Sequence, residues 1–128
     1  MSDTKPALEI GTRLVQLCNE EKGLEAVDEL YGAGIVSIEG QGTDAMPARM
    51  EGLQAVRGKS VWWYDNHEVH SATAVGPFVG HRDDQFVVQF DLDVTPKATG
   101  ERTQMREVGL YTVADGKVVQ EEFLYLMG

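Results

Sequence analysis

The sequence predicts an α+β fold in which three helices come first and a series of long strands follows. Two observations support this prediction: apolar residues recur at helical spacing in the N-terminal half, and from residue 66 onward apolar and polar residues alternate between turn signals. Because helices and strands are segregated along the chain, we expect the helices to cover one face of a strongly curved, mostly antiparallel sheet. Such a cone-shaped arrangement encloses a pocket.

The predicted helices cover residues 6–21, 24–30 and 49–64. Asp3 and Thr4 are candidate N-caps of the first helix, and Gly23 follows its last turn as a stop signal. The second helix is short and ends before Gly32 and Gly34. The third contains two internal glycines, which weaken its helical pattern. A short strand at residues 35–39 and a glycine-bearing loop at residues 40–46 separate the second helix from the third.

The predicted strands of the second half cover residues 67–75, with a broken continuation at 78–80, then residues 85–95 and the two arms of a closing hairpin within 102–125. The residues of the 85–95 strand that share its apolar face are Phe86, Val88, Phe90, Leu92 and Val94. The turn after this strand places Phe90 opposite Glu107. It also places Asp91 opposite Arg106, so the register joins two apolar faces and sets an acid opposite a base.

The turn of the closing hairpin is Ala114-Asp115-Gly116, which suits a three-residue loop that pairs Val113 with Lys117. With this register, period-two alternation places two glutamates on one otherwise apolar and aromatic face. The residues of that face are Met105, Glu107, Gly109, Tyr111, Val119, Glu121, Phe123 and Tyr125. A two-residue Asp-Gly loop would instead leave Glu107 and Glu121 on opposite faces.

Length, charge and cysteine content limit the possible functions. With 128 residues, the chain is expected to form one domain over residues 1–128. The net charge of −10 argues against nucleic acid and anionic membranes as partners. The single cysteine, Cys18, excludes an internal disulfide and fits a reducing compartment. The sequence shows neither a secretory signal nor an apolar run of membrane length, so we expect a cytoplasmic location.

The order of elements and three segments, LYGAGIVSIEG, VRGKSVWWYDNHEVH and EVGLYTVADGKVVQEEFLY, resemble the SnoaL-like branch of the nuclear transport factor 2-like superfamily. This superfamily includes polyketide cyclases, ketosteroid isomerases and limonene epoxide hydrolase. The resemblance covers nearly the whole chain. It implies a cone-shaped fold, with about three N-terminal helices packed on a strongly curved, mostly antiparallel sheet around a pocket.

The same resemblance implies one candidate catalytic residue and one interface. Ketosteroid isomerases carry a segment whose final aspartate is the general base. When that segment is aligned without gaps from Leu30 and Tyr31, the aspartate falls on Glu39. In this fold the outer face of the sheet is commonly a dimer interface, so we expect a homodimer through the sheet. The residues of that face are Val87, Gln89, Asp91, Arg106, Val108 and Leu110.

The candidate catalytic residues are Glu39, Glu107 and Glu121, which we expect to approach one apolar pocket. Burial and mutual repulsion would raise the pKa of at least one carboxyl and fit it for general acid–base chemistry. The candidate ligand-binding residues around them are Trp63, His67, Phe90, Tyr111, Phe123 and Tyr125. Tyr111 and Tyr125 are candidate donors to a ligand oxygen. Gly109 would leave room for a flat ligand.

Each candidate also has a structural interpretation. A register slip of one residue would turn Glu107 and Glu121 toward solvent, and Glu39 could bond backbone amides of the loop that follows it. Of Trp62 and Trp63, one could pack against the sheet and the other close the pocket mouth, or both could be core residues. His67 and His70 lie on opposite faces of a strand and cannot share an ion, so no metal site is expected. The sequence contains no phosphate-binding or dinucleotide-binding motif, so no cofactor is expected.

Two classes of function are consistent with these residues. The first is a cofactor-independent isomerase, cyclase or hydratase that moves a proton on a small, largely apolar, carbonyl-containing molecule. The second is a non-catalytic ligand-binding or dimeric interaction module, whose pocket could be filled by its own aromatic side chains, namely Phe86, Phe90, Phe123 and the tyrosines. An open cavity that contains more than one carboxylate would favour the enzyme.

Overall fold

The computed structural model describes residues 6–40, residue 42 and residues 47–125. The helices are α1 (Pro6–Asn19), α2 (Gly23–Leu30) and α3 (Leu53–Asn66). The strands are β1 (Tyr31–Ile38), β2 (Arg49–Glu51), β3 (His67–Phe78), β4 (Gln85–Pro96), β5 (Thr103–Ala114) and β6 (Lys117–Leu124). The predicted α+β fold, with three helices packed on a sheet, is confirmed. Within the described ranges, no helix is both long and apolar enough to cross a membrane.

The six strands form one open sheet in the order β2-β1-β6-β5-β4-β3. Strands β3 to β6 form an antiparallel meander, and β1 joins β6 in parallel. The sheet is therefore mixed and mostly antiparallel, as expected, while its strong curvature stays a prediction. The parallel pairing matters for function because it places β1, from the first third of the chain, beside the last strand.

Helix α1 covers the sheet with the apolar stripe that its sequence predicts. Ile10, Leu14 and Leu17 follow each other at helical spacing and are buried. The helix packs against β3 and α2. At Gly11 it approaches the sheet so closely that a Cβ would lie 2.7 Å from the Cβ of Pro77. The candidate caps Asp3 and Thr4 lie outside the described residues.

The segment between α2 and α3 differs from its prediction. Residues 49–51 are not the start of a helix but strand β2, which pairs with Val36, Ser37 and Ile38 of β1. Gly52 has φ +100°, a conformation that separates the strand from α3. Strand β1 begins at Tyr31, earlier than predicted, and its register with β6 shifts between Tyr31 and Val36. Most of the predicted loop at residues 40–46 lies outside the described residues.

The predicted register between β4 and β5 is confirmed. Phe90 lies opposite Glu107, and Asp91 lies opposite Arg106. Nε of Arg106 donates a hydrogen bond of 2.6 Å to Oδ1 of Asp91, so this ion pair forms within one chain. The apolar face of β4 points into the core, where Phe86, Val88 and Val94 are buried. Strand β3 extends to Phe78, with a register shift after Val75.

The predicted three-residue turn of the closing hairpin is wrong. The loop has two residues, Asp115 and Gly116, with φ values of +52° and +77°, which is the geometry of a type I′ turn. Ala114 therefore pairs with Lys117, and such a loop alone would put the two glutamates on opposite faces.

A shift of register in the same hairpin restores the predicted face. Val113 pairs with Val118, whereas Thr112 pairs with Gln120, so Val119 is an extra residue in β6. Beyond this bulge, Tyr111 lies opposite Glu121 and points to the same face. The bulge also makes Val118, rather than Val119, the valine of β6 that packs in the core.

Candidate functional site

A cavity of about 350 Å³ lies between the helices and the inner face of the sheet. All three predicted carboxylates, Glu39, Glu107 and Glu121, line it. Four of the predicted aromatic residues also line it, and these are Trp63, Phe90, Tyr111 and Phe123. The alternation of the strands therefore brings together groups that are far apart in the sequence.

Glu121 is the most buried of the three carboxylates, with 3% of its surface exposed. It lies directly opposite Ser37 in the parallel pairing of β1 with β6, and Oγ of Ser37 donates a hydrogen bond of 2.7 Å to its Oε2. The hydroxyl of Tyr31 donates to its Oε1. Burial raises the pKa of Glu121, although the charge of Lys59 and these two hydrogen bonds oppose the shift.

Lys59 of α3 completes a polar network at this end of the cavity. Its Nζ donates to Oγ of Ser37 at 2.5 Å and to Oε2 of Glu39 at 2.8 Å. The same atom lies 3.9 Å from Oε2 of Glu121 and 5.3 Å from the centre of the Phe123 ring. The Lys59 side chain is 14% exposed. The site therefore contains a largely buried ion pair.

Glu107 also lines the cavity, but it does not belong to the Lys59 network. It has no hydrogen-bond partner among the described residues. Burial is the main cause that raises its pKa from 4.5 to about 7. The charge of Glu39 adds to this shift, and the charge of Lys59 opposes it. A carboxyl with this pKa can both release and accept a proton at neutral pH, so Glu107 is suited to acid–base chemistry.

The aromatic side chains form the apolar wall of the cavity. Phe86 stacks on Tyr111 with ring centres 4.8 Å apart, and Phe123 meets the edge of Tyr111 at 6.3 Å. The space above Gly109 does not receive a ligand, because a Cβ there would lie 2.8 Å from Cε2 of Tyr111. The glycine instead makes room for the Tyr111 ring. Phe90 and Phe123 bring their rings to 6.4 Å from each other.

The end of α3 contributes Trp62, Trp63 and Tyr64 to the cavity lining. Trp62 is 40% exposed and Tyr64 is 45% exposed, so these two rings lie where the cavity meets solvent. Both tryptophans therefore contact the cavity, whereas at most one of them was expected to do so.

Two of the predicted ligand-binding residues, His67 and Tyr125, are not among the residues that line the cavity. His67 stacks on the Trp63 ring at 4.4 Å, and its Nδ1 lies 2.8 Å from the Trp63 carbonyl oxygen. Because a carbonyl only accepts, Nδ1 carries the proton. The Tyr125 hydroxyl donates to Oε1 of Glu39 at 3.4 Å. His67 thus contacts Trp63, and Tyr125 contacts Glu39, while neither His67 nor Tyr125 lines the cavity itself.

Tyr31, Ser37 and Lys59 also belong to the site, although none of them was predicted to do so. Lys59 follows the buried Val56 by three residues and precedes Trp63 by four, so helical spacing puts all three on one face. Ser37 lies two residues before Glu39 and shares its face of the strand. The positions of Ser37 and Lys59 could therefore have been inferred. Tyr31 had no comparable signal, because it lies where α2 passes into β1.

Within the described residues, no group of three or more His, Cys, Asp or Glu side chains has an arrangement that could hold a metal ion. His70, at the register shift of β3, makes a hydrogen bond of 2.7 Å through Nε2 to Oγ1 of Thr95. The two histidines of this strand thus have separate partners. Cys18 also lines the cavity, and burial raises the pKa of its thiol to about 11, which makes it a poor nucleophile.

Comparison with known proteins agrees with this architecture. Residues 6–125 match the family model of the SnoaL-like domain. The chain belongs to the SnoaL-like family. A protein from Mesorhizobium loti, provisionally assigned as a SnoaL-like polyketide cyclase, is 43% identical and has a TM-score of 0.85. That match covers 91% of this chain and 97% of the other. A comparison with curated proteins found no match.

More distant structures share the fold alone. One is a protein from Bacillus subtilis, provisionally assigned as an isomerase, with 17% identity and a TM-score of 0.73 over 98% of this chain and 90% of the other. Another is a computationally designed 17-OHP binder, with 15% identity and a TM-score of 0.71 over 97% of this chain and 96% of the other. The same architecture therefore occurs in proteins with different assigned roles.

Proposed function

We propose that this SnoaL-like protein is a cofactor-independent isomerase or cyclase that binds a small, largely apolar carbonyl compound and moves a proton on it. The proposal rests on Glu107, which lines the cavity and has no hydrogen-bond partner among the described residues. The pKa of its carboxyl is raised to about 7. Such a group can take a proton from carbon and return it at neutral pH.

The proposed reaction needs only the side chains of the cavity. The ionised Glu107 carboxylate removes a proton from the carbon next to the ligand carbonyl. The electron pair of the broken C–H bond moves onto the carbonyl oxygen and forms an enolate. In an isomerase, the protonated Glu107 then returns the proton to another carbon. In a cyclase, the enolate carbon attacks a second carbonyl of the same molecule, and Glu107 protonates the new alkoxide.

Glu39 and Glu121 have supporting roles in this proposal. Glu39 forms an ion pair with Lys59, and Glu121 is held by Tyr31 and Ser37, so neither carboxyl is as available to a ligand as Glu107. Both lie close enough for their charges to raise the pKa of Glu107. The pair therefore helps to tune the proposed acid–base residue.

Hydrogen exchange at carbon provides a test that needs no knowledge of the natural product. We expect the protein to accelerate solvent deuterium exchange at the α-carbon of at least one compound in a panel of cyclic ketones and enones followed by NMR. Glu107→Gln should reduce that rate by about 10²- to 10⁴-fold. Glu101→Gln is the matched control, since Glu101 is exposed and lies outside the cavity lining.

The alternative function is ligand binding without chemistry. A cavity of about 350 Å³ supports an open pocket over one filled by its own aromatic residues. The designed 17-OHP binder illustrates that this fold can hold a ligand. Ketones that bind, as seen by their shifted NMR signals, but show no accelerated exchange would favour this alternative. If no compound of the panel binds, both the enzyme proposal and the ligand-binding alternative are refuted.

We also propose that the protein forms a homodimer through the outer face of its sheet. Leu110 lies on that face between Val87 and Glu122, and the exposed side chains of Phe78 and Leu124 extend its apolar area. We expect light scattering to give twice the chain mass, and Leu110→Arg to give a monomer. Leu8→Arg, at an exposed apolar position on α1, is the control. A monomeric unmodified protein would refute the dimer.

A further inference from the structure

The proposed proton transfer leaves Lys59 without a role, although it is the basic residue among the described residues that line the cavity. A lysine whose side chain is only 14% exposed is costly to bury unless its charge is compensated. Its ion pair with Glu39 supplies that compensation. The ammonium group is therefore kept in the cavity wall rather than in solvent.

The ammonium of Lys59 has hydrogen-bonding capacity left over. It carries three N–H groups, and its acceptors within hydrogen-bond distance among the described residues are Oγ of Ser37 at 2.5 Å and Oε2 of Glu39 at 2.8 Å. Glu121 is too far for a hydrogen bond, because its Oε2 lies 3.9 Å from Nζ. One N–H is thus available to an oxygen atom of a bound ligand.

Two features hold this donor in place. Ser37 and Glu39 lie two residues apart on one face of the chain, and both contact the same ammonium. Ser37 is in turn anchored, because it donates its own proton to Glu121. A donor that is oriented before the ligand arrives needs little reorganisation when negative charge develops.

In the proposed reaction, negative charge moves from Glu107 to the ligand oxygen, where such a donor can stabilise it. When Glu107 takes a proton from carbon, one negative charge leaves its carboxylate and appears on the ligand oxygen. Lys59 already acts electrostatically on Glu107, and both residues line the same cavity. An ammonium hydrogen-bonded to the ligand oxygen would stabilise the enolate more than the neutral carbonyl, which is the requirement for catalysis.

We infer that Lys59 is a catalytic residue that binds the oxyanion of the ligand, with Ser37 and Glu39 as the positioning residues that hold its ammonium. This inference rests on the proposed function and adds to it the chemical class of the ligand. The site takes a molecule whose oxygen becomes an enolate or phenolate-like oxyanion while a neutral Glu107 carboxyl lies nearby. Loss of one such donor lowers the rate by about 10²- to 10³-fold in enzymes of this type.

The probe for this site is 4-nitrophenol, whose phenolate absorbs visible light and whose phenol form does not. The protein carries Glu107→Gln, because a neutral side chain there reproduces the state after proton transfer and makes the result independent of activity. We expect this variant to bind the phenolate at least about tenfold more tightly than the phenol, which lowers the pKa of the bound probe by about one unit. Adding Lys59→Met should abolish the preference.

Nitrobenzene, which has the same ring but no hydroxyl, is the control ligand and should bind equally with and without Lys59. Lys59→Met alone leaves the Glu39 carboxylate without its ion pair and could prevent folding. The variant Lys59→Met/Glu39→Gln removes both charges and should fold, and it should also show no preference for the phenolate. Circular dichroism and urea unfolding check each variant.

The outcomes separate this inference from the proposed function. If both probes bind but the phenolate preference is absent, or if it persists after Lys59 is replaced, the oxyanion role is refuted while the pocket and the role of Glu107 stand. If neither probe binds, the pocket itself is refuted, and the inference falls with the proposed function. A phenolate preference that is present with Lys59 and absent after its replacement supports the pocket and the oxyanion role of Lys59.

Discussion

The hydroxyl of Tyr31 donates a hydrogen bond to Oε1 of Glu121, and this bond connects the start of β1 to the middle of β6. Both residues are buried, with 7% and 3% of their surfaces exposed. The contact holds a carboxyl inside the core beside the cavity. It depends on the parallel pairing of β1 with β6, two strands that are far apart in the sequence.

Replacing Tyr31 by phenylalanine should destabilise the protein. The ring would remain, but Oε1 of Glu121 would lose its donor, and a buried acceptor without a partner costs about 1–3 kcal/mol. Urea unfolding at neutral pH measures this loss. Tyr64→Phe is the control, because Tyr64 is 45% exposed, and it should change the free energy of unfolding by less than about 0.5 kcal/mol. Equal effects of the two variants would contradict the prediction.

The raised pKa of Glu107 predicts how stability depends on pH. Its carboxyl has a pKa of about 7 in the folded protein and an ordinary value of 4.5 when exposed, so the folded state binds more protons between these values. The contribution of Glu107 to the free energy of unfolding is thus fully present below pH 4.5 and is lost as the pH rises through 7. Its full size is about 3 kcal/mol, because one pKa unit corresponds to about 1.4 kcal/mol.

Urea unfolding of the wild type and Glu107→Gln at several pH values between 4.5 and 8 tests this linkage. The wild type should lose stability relative to Glu107→Gln as the pH rises. Glu101→Gln makes the same chemical change on an exposed segment and serves as the control. A constant difference between wild type and Glu107→Gln across this pH range would show that Glu107 is not buried as described.

Gly109→Ala should disturb the cavity wall. The added Cβ would lie 2.8 Å from Cε2 of Tyr111, and a ring stacked on Phe86 cannot move freely. Overpacking of this kind costs about 1–3 kcal/mol. Thermal or urea unfolding provides the measurement. Gly34→Ala, where the Cβ would meet nothing within 4 Å, is the matched control and should change stability by less than about 0.5 kcal/mol.

Two further glycines should respond to alanine in opposite directions. Gly116 has φ +77° in the hairpin turn, where a Cβ is strained, so Gly116→Ala should destabilise by about 1–2 kcal/mol. If Gly116→Ala is neutral in urea unfolding, the type I′ turn is wrong.

Gly58 lies inside α3 with open space around its Cβ position, and Gly58→Ala should stabilise the protein by about 0.5–1 kcal/mol in the same measurement.

Alternation along the strands correctly predicted the register of β4 with β5 and the inward face of both strands. A register slip of one residue would separate the apolar faces of β4 and β5, and the turn between the strands selects the register that puts Phe90 opposite Glu107. The same alternation predicts that Glu107 faces inward, because burial of one face penalises any other arrangement. The prediction for Glu121 depended in addition on the turn of the closing hairpin.

The closing hairpin contains two features that strand alternation did not predict. The turn was predicted with three residues and has two, yet the glutamates share a face because Val119 forms a bulge. Asp-Gly suits a two-residue type I′ turn, and the bulge then lets Glu121 return to the inner face. The two features compensate each other. The Asp-Gly pair is a local signal for the turn, whereas no local preference indicates the bulge.

The residue pattern alone predicts the class of fold, the inward faces of the long strands and the position of Glu107 in the cavity wall, because periodic burial leaves a periodic pattern. Only the tertiary structure decided that Lys59 of α3 and Ser37 of β1 meet Glu39 and Glu121 in one network. Such contacts depend on how a helix is placed over a sheet and on which strands become neighbours. These contacts are set by packing of the whole chain, and no local sequence pattern encodes them.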